Sequence, residues 1–403
     1  MKQAITLRLR IVLAANETQL LQETMCQFAA GCQLVSQYLF DHEFVLDQYA
    51  LHKALYHRLR ADIGLKSQMA QSVIRHVVAN YKTVQTQMKS EPYAFKDRYT
   101  GQWTRCPRDL TWLRRPLQYR KPQLKLVRNR DWSWLQDDRL SLNTLAKRIR
   151  VTPYLHGFEQ YLTPDWQLGV ATVVRTGAHY FLHIAVTKEI DTVDRPHVKD
   201  IVGIDRGLRF VLVSHNGAGQ TNFVSGKAIA NKRAKYHRTR QKLQRKNTKS
   251  AKRCLRRLSG RENRWMSDVN HRLSKTLVSQ ASPNTLFVVE DLTGIRQQLG
   301  RQALTRRELH SWSFFELEQY LRYKAALAGH AVIAVPAQYT SQRCPKCGRI
   351  DKNQRDQENH TYHCVSCSYQ SNDDRIAAMN LFTLGQQYQS GSNHPRFIKE
   401  VIG

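Results

Sequence analysis

The chain has 403 residues, 41% of them hydrophobic, with 63 Lys and Arg against 32 Asp and Glu for a formal charge of +31. That length suits about two to four domains with sizeable cores, and that charge calls for a polyanionic partner, most simply nucleic acid. No apolar run is long enough to span a bilayer and no amphipathic anchor is evident, so a membrane partner is not expected. Met1 to Ala4 lead into an alternating strand pattern rather than the apolar core of a signal peptide, which predicts a cytoplasmic protein. Of eight cysteines, Cys26, Cys32, Cys106 and Cys254 are scattered and four are clustered. That spacing suits a metal site rather than a disulfide framework.

Residues 4–13 alternate at period two and predict a strand. A helix is expected to start at Asn16, a capping residue with Gln19 three positions on, and to present Leu21, Met25, Phe28, Cys32, Val35 and Leu39 on one face. A second helix is predicted over 65–87, with Met69, Val73, Val77, Tyr81 and Val84 aligned. From 91 to 195 prolines and tryptophans (Trp103, Trp112, Trp132, Trp134 and Trp166) accompany strand-like pieces at 124–127, 148–151, 169–174 and 179–186. This predicts a small β-barrel or sandwich. Its aromatic and basic interleaving suits single-stranded nucleic acid, although packing in a β-core is the plainer role for each tryptophan.

A polar segment at 191–199 reads as a linker. Residues 201–205 then form a buried-type strand ending in Asp205, Gly207 allows a tight turn into a strand at 209–213, and Asn216-Gly217 turns the chain into a third strand at 221–225. The thirty residues 232–261 contain fourteen Lys or Arg and no acid. The pattern is helical but too polar for a core helix. Lying between two buried strands, it is not a tail; it reads as helices along a phosphate backbone rather than a merely solvated face. The residues expected to bind nucleic acid there are Lys232, Arg233, Lys235, Arg238, Arg240, Lys242, Arg245, Lys246, Lys249, Lys252, Arg253, Arg256 and Arg257. A helix with Val269, Leu273 and Leu277 follows, then a strand at 285–291 ending in Glu290 and Asp291. A helical segment around Trp312, Phe315, Leu317, Leu321 and Leu327 leads to a short strand at 331–336. The last helix is expected over 374–385, with a flexible tail beyond.

Cys344-Pro345-Lys346-Cys347 and Cys364-Val365-Ser366-Cys367 are two knuckles separated by sixteen residues. Four thiolates at this spacing close a tetrahedron around Zn²⁺ and leave no open position, so the expected site is structural. His360 and His363 are nearby alternative ligands. Three acids stand apart from this module: Asp205 and Glu290 at strand ends and Asp374 at the start of the last helix. Asp374, Ala377 and Ala378 share a helix face, and the alanines allow close packing on a sheet that would aim Asp374 at the strand ends. Clustered carboxylates repel one another unless a cation lies between them, and Mg²⁺ prefers a few carboxylates plus phosphate oxygens. Two such ions could support phosphodiester hydrolysis. A three-strand meander, a fourth strand and a helix, each with an acid, is a ribonuclease H-like layout. Caps and surface ion pairs are the plain alternative for each acid.

Four motifs now stand in order: Gly203-Ile-Asp205-Arg-Gly207, Val288-Val-Glu290-Asp-Leu292, Thr340-Ser-Gln-Arg-Cys344-Pro-Lys-Cys347-Gly348, and Asn372-Asp-Asp374-Arg-Ile-Ala-Ala378-Met-Asn380. In these the C-terminal half, strongest over about 180–385, resembles the TnpB family, the RNA-guided nucleases of insertion sequences related to type V CRISPR effectors. The resemblance implies a RuvC nuclease domain with Asp205, Glu290 and Asp374 as a catalytic, magnesium-binding triad. It also implies an inserted zinc ribbon that binds target nucleic acid, and a preceding wedge β-barrel with a helical recognition insertion. The preference for Glu290 over Asp291, and for Asp374 over Asp373, comes from the motif match. The implied partners are a structured guide RNA and double-stranded target DNA cut beside a short adjacent motif, with the protein nucleoid-associated when DNA-bound.

The corresponding domain boundaries are 1–15 for the first wedge strand, 16–90 for the helical domain, and 91–195 for the rest of the wedge. The nuclease domain covers 196–339 with basic helices at 228–262, the zinc ribbon 340–372, the last RuvC helix 373–388 and the tail 389–403. Two positions depart from the family pattern: Ser368 where glycine is common, and Ile376 where asparagine is common. The alternatives are a catalytically weak or inactive guided repressor, a DNA strand-transfer transposase and a guide-free resolvase. The intact acids oppose the first, and the zinc module and basic stretch oppose the second.

Overall fold

The computed structural model describes residues 1–292, 314–356 and 358–399. The chain forms two compact units, one over Lys2–Glu189 and one from Ile190 onward.

In the first unit, β1 (Lys2–Val12) is followed by three helices, α1 (Ala15–Asp41), α2 (Gln48–Ala61) and α3 (Ser67–Ser90). The predicted stripe of α1 is buried from Leu21 to Leu39, as are Met69, Val73, Val77 and Tyr81 of α3. The start of α1 differs from expectation. Ala14, not Asn16, is the cap residue, and the Glu17 carboxylate accepts its backbone N–H at 2.8 Å. Helix α2 has no counterpart among the predicted elements. Its only apolar stripe is Leu51, Leu55 and Leu59, one residue per turn among basic neighbours, and all three are buried.

Among the described residues, strands β2 (Tyr93–Lys96) and β3 (Trp103–Cys106) pair only with each other. The remaining strands are β4 (Gln123–Leu126), β5 (Trp132–Trp134), β6 (Leu140–Asn143), β7 (Arg148–Tyr154), β8 (Gln167–Thr176) and β9 (His179–Glu189). With β1 they make one seven-stranded sheet in the order β4-β8-β9-β1-β7-β6-β5. Its alternating residues Leu7, Leu9 and Ile11 face the core. The indole N–H of Trp132 at one end donates to the Gly169 carbonyl in β8 near the other end, at 3.2 Å, so the sheet curls. The expected barrel is therefore a half-barrel, whose short end strands β4 and β5 do not form a ladder with each other.

The second unit is built on β10 (Asp200–Asp205), β11 (Phe210–Asn216), β12 (Thr221–Ser225), β13 (Thr285–Asp291) and β14 (Ala331–Pro336), in sheet order β12-β11-β10-β13-β14. The first three form an antiparallel meander, while β13 runs parallel to β10 and β14 parallel to β13. This is the ribonuclease H-like order. Two basic helices, α4 (Lys227–Lys246) and α5 (Lys249–Ser279), connect β12 to β13. The second half of the basic stretch and the apolar helix expected after it are one 31-residue helix. Asn247 turns the chain with a left-handed φ of 47° and the Thr248 side chain caps the new helix, after which no proline interrupts it.

Helix α6 (Phe314–Leu327) packs with α5 against one face of the sheet, burying Phe314, Leu317, Leu321 and Ala325. The expected Leu317 and Leu321 are buried, but Phe314 takes the core position in place of Phe315, which is 73% exposed. Trp312 lies outside the described residues.

Helix α7 (Asp373–Gln389) covers the other face. It lies so close to β10 that a Cβ on Gly203 would collide with the Ala378 carbonyl oxygen, and one on Gly385 would stand 2.5 Å from Ile201 Cγ2. The expected flexible tail needs correction over 390–399. Arg195 donates to the Gly391 carbonyl and to Asn393 Oδ1, and Phe397 is buried against Val198, Ile201, Leu381 and Leu384. An aromatic returning to the apolar face of α7 is what holds this segment down.

Candidate functional site

Parallel β10 and β13 run in register, Gly203 beside Val288 and Ile204 beside Val289, so both strands end at the same level, one in Asp205 and the other in Glu290. Close packing of α7 brings its first turn to that end of the sheet. Asn372 caps the helix by accepting N–H bonds from Asp374 and Arg375. Asp374 is the third acid.

Asp205 feels the other two acids. Burial raises it well above the usual carboxylate value, and the charges of Glu290 and Asp374 raise it further. Glu290 is also raised, first by burial, against the opposing effect of the Thr340 hydroxyl and of Arg206 and Arg355. Asp374 is raised by burial and by Asp373. Their acidic neighbours are used differently. Asp373 is fully buried with Arg355 Nε 3.0 Å from its Oδ2, and Asp291 is exposed. Donor atoms of His360, Asp373 and Asp374 lie within 4.8 Å of one another, but Arg355 already occupies Asp373. Three acids at one sheet end, each disfavoured in its charged form, match the donor chemistry of a hard divalent cation.

Several side chains that hold this site were not assigned a role from sequence. Arg206 is 6% exposed; it ion-pairs with Glu318 at 3.0 Å and donates to the backbone carbonyls of Phe314 and Glu290. Its guanidinium thus joins the ends of β10 and β13 to α6. Thr340 places its hydroxyl 2.5 Å from Glu290 Oε1. Asn380, fully buried on α7, donates to the Thr340 and Arg343 carbonyls at 2.8 and 2.7 Å and fixes the loop that carries Thr340. Thr340 and Asn380 belong to the motifs, but only folding shows which groups they reach.

The four cysteines converge. Cys344 and Cys367 sulfurs are 3.6 Å apart, and those of Cys347 and Cys364 are 3.5 Å apart. A disulfide would need about 2.05 Å, whereas a tetrahedron with Zn–S near 2.3 Å has edges of about 3.8 Å. The donor set therefore fits zinc. His360 and His363 are not in this group. The two knuckles repeat one backbone design: Gly348 N–H bonds to the Cys344 carbonyl and Ser368 N–H to the Cys364 carbonyl. Both turn residues are left-handed, with φ of 82° and 55°. Strands β15 (Arg355–Asp356), β16 (Thr361–His363) and β17 (Gln370–Asn372) complete the ribbon.

Of the thirteen basic residues expected to bind nucleic acid, eleven are exposed on α4 and α5. Arg233 and Arg240 are half-buried, and Arg240 is paired with Glu262. Helix α4 buries no residue at all.

Known families agree with this geometry. Residues 183–294 match the family model OrfB_IS605, described as a probable transposase, and residues 314–381 match that of the Cas12f1-like TNB domain. Together they cover the acids, the cysteines and their order. By these matches the C-terminal half is similar to the TnpB family and to the type V CRISPR effectors. A TnpB-like protein of Methanocaldococcus jannaschii is 33% identical over 161 residues, which cover 38% of this chain and 56% of that protein. The CRISPR-associated endodeoxyribonuclease Cas12f1 of Sulfoacidibacillus thermotolerans is 39% identical over 114 residues, covering 28% of this chain and 25% of that protein. The chain thus spans about half and a quarter of these two relatives. The solved Cas12f1–sgRNA–target DNA complex superposes with a TM-score of 0.59 over 92% of this chain and 83% of that one at 14% identity, a likeness of fold. Half-barrel, ribonuclease H-like sheet and cysteine ribbon are all present in this chain.

Proposed function

We propose that the protein is an RNA-guided DNA endonuclease that hydrolyses phosphodiester bonds at Asp205, Glu290 and Asp374. The observation that carries this reading is the convergence of three carboxyls, each with a raised pKa, at one end of a ribonuclease H-like sheet. The relatives named as endodeoxyribonuclease and solved with guide RNA and target DNA support the same activity here.

Asp205, Glu290 and Asp374 would hold magnesium, expected as a pair of ions, which would supply activation of water and stabilisation of the leaving oxygen. Thr340 and Arg206 orient Glu290, and Arg355 neutralises Asp373 so that Asp374 is left to face the site. The zinc ribbon holds the Thr340 loop against α7 through Asn380 and contributes to target binding. Exposed cations of α4 and α5 hold nucleic-acid backbone, while base pairing with the guide selects the sequence.

Replacing any of Asp205, Glu290 or Asp374 by Ala should abolish magnesium-dependent cleavage and leave RNA and target binding intact. Cleavage assays beside mobility-shift titrations measure both, and full cutting by the alanine variants would overturn the assignment. The intact acid set gives no support to a guided repressor.

A further inference from the structure

We propose that the β2–β3 hairpin is a stacking platform for unpaired nucleotides of the guide RNA, an inference that rests on the guided reading above. The hairpin is well formed. Tyr93 pairs with Cys106 and Lys96 with Trp103, and the Asp97 carboxylate closes the loop by accepting the Tyr99 and Thr100 N–H groups at 2.8 Å. Yet it has no core face: seven of its eight strand residues are exposed and the eighth, Cys106, is only half-buried.

What it exposes is aromatic. Tyr93 is 50% exposed, Phe95 38% and Trp103 73%. Tyr93 and Phe95 lie on one face with their rings stacked at 5.9 Å, and Trp112 extends that row at 5.6 Å from Tyr93. Trp103 is on the opposite face with Lys96 and Arg105, so one face of the narrow ribbon carries two rings and the other a ring beside two cations. A two-stranded ribbon gains little stability of its own in water, and a contiguous apolar display of this kind marks a binding surface. Rings interleaved with cations fit nucleobases and their phosphates, with little demand on sequence. Of the two nucleic acids in the guided reading, the guide is the resident one. A permanently aromatic surface calls for a resident cover, whereas target DNA is only met in passing.

The full-length protein, purified with the RNA it carries, is irradiated with ultraviolet light before and after target DNA is added, and its peptide–nucleotide adducts are read by mass spectrometry. Ribonucleotide adducts on Tyr93, Phe95 or Trp103 before DNA is added are the expected result. Three outcomes would overturn the proposal: adducts elsewhere on the chain but none here, deoxynucleotide adducts here only after DNA addition, or a cross-link from the hairpin to a second copy of the chain.

A triple variant, Tyr93→Ser with Phe95→Ser and Trp103→Ser, should melt as the parent does and release its RNA roughly tenfold faster or more. Phe95→Tyr with Trp103→Phe, which keeps the rings, should release it at the parental rate. Parental release by the triple variant would sink the hairpin inference alone. A parent protein that carries and binds no RNA would instead sink the guided reading.

Discussion

Thr340 bears no charge, yet its hydroxyl at 2.5 Å from Glu290 Oε1 fixes how that carboxyl is presented. Thr340→Val keeps the shape and removes the hydrogen bond. The expected result is a roughly 10- to 100-fold fall in single-turnover cleavage, the usual cost of losing a group that orients a ligand, with target affinity unchanged. A parental cleavage rate would remove Thr340 from the site.

The raised pKa of Asp205 has its own consequence for magnesium-free protein that retains zinc. Above the ordinary carboxylate value of 3.8, the unfolded chain has given up this proton while the folded chain still holds it. Stability from this group is therefore complete below that value and is lost as pH rises through the folded one. Denaturant unfolding across a pH series should show this decline, Asp205→Asn should flatten it, and added magnesium should oppose it by binding the ionised form.

Among the elements, α7 has the most demanding fit. Gly203 under Ala378, and Gly385 over Ile201 and Val288, let helix and sheet backbones nearly touch, which is how the Asp374 turn reaches Asp205. The zinc ribbon has a contrasting imperfection. Its two knuckles need left-handed residues after the second cysteine of each pair, and only the first knuckle supplies glycine. Ser368→Gly should stabilise the zinc-loaded ribbon by about 1 kcal/mol, since a side chain in that conformation costs about that much. Resistance of the 340–372 segment to chelator, followed by limited proteolysis, measures it; a variant no more resistant than the parent would show that Ser368 sits without strain.

For the whole molecule, the excess of cations points to phosphate as the group bound. Eleven of the thirteen Lys and Arg singled out between Lys232 and Arg257 are exposed on α4 and α5, and Arg240 beside them is paired with Glu262. Replacing Arg238, Lys242 and Arg245 by Gln should weaken nucleic-acid binding and flatten its dependence on log salt by roughly 0.9 for each phosphate no longer neutralised. Melting temperature should not move, because none of the three is buried. An unchanged salt slope would assign phosphate binding to another surface.

The sequence by itself determined the elements whose chemistry is local. Apolar spacing in α1 and α3, the apolar strands that carry Asp205 and Glu290 at their ends, and the paired cysteine knuckles each follow from short-range periodicity or ligand spacing, and all are legible in one dimension. It also carried the family's motif order. The start of α1 and the extent of α5 turn on local caps at Ala14 and Thr248 that apolar spacing does not reveal, whereas helix α2 and the return of Phe397 to the core depend on which partner surface is available to bury a residue. Tertiary structure alone decided that Asp373 is tied to Arg355, and that Arg206, Thr340 and Asn380 brace the site. Those roles arise where residues 18 to 112 positions apart meet, and no local pattern encodes a meeting at that distance.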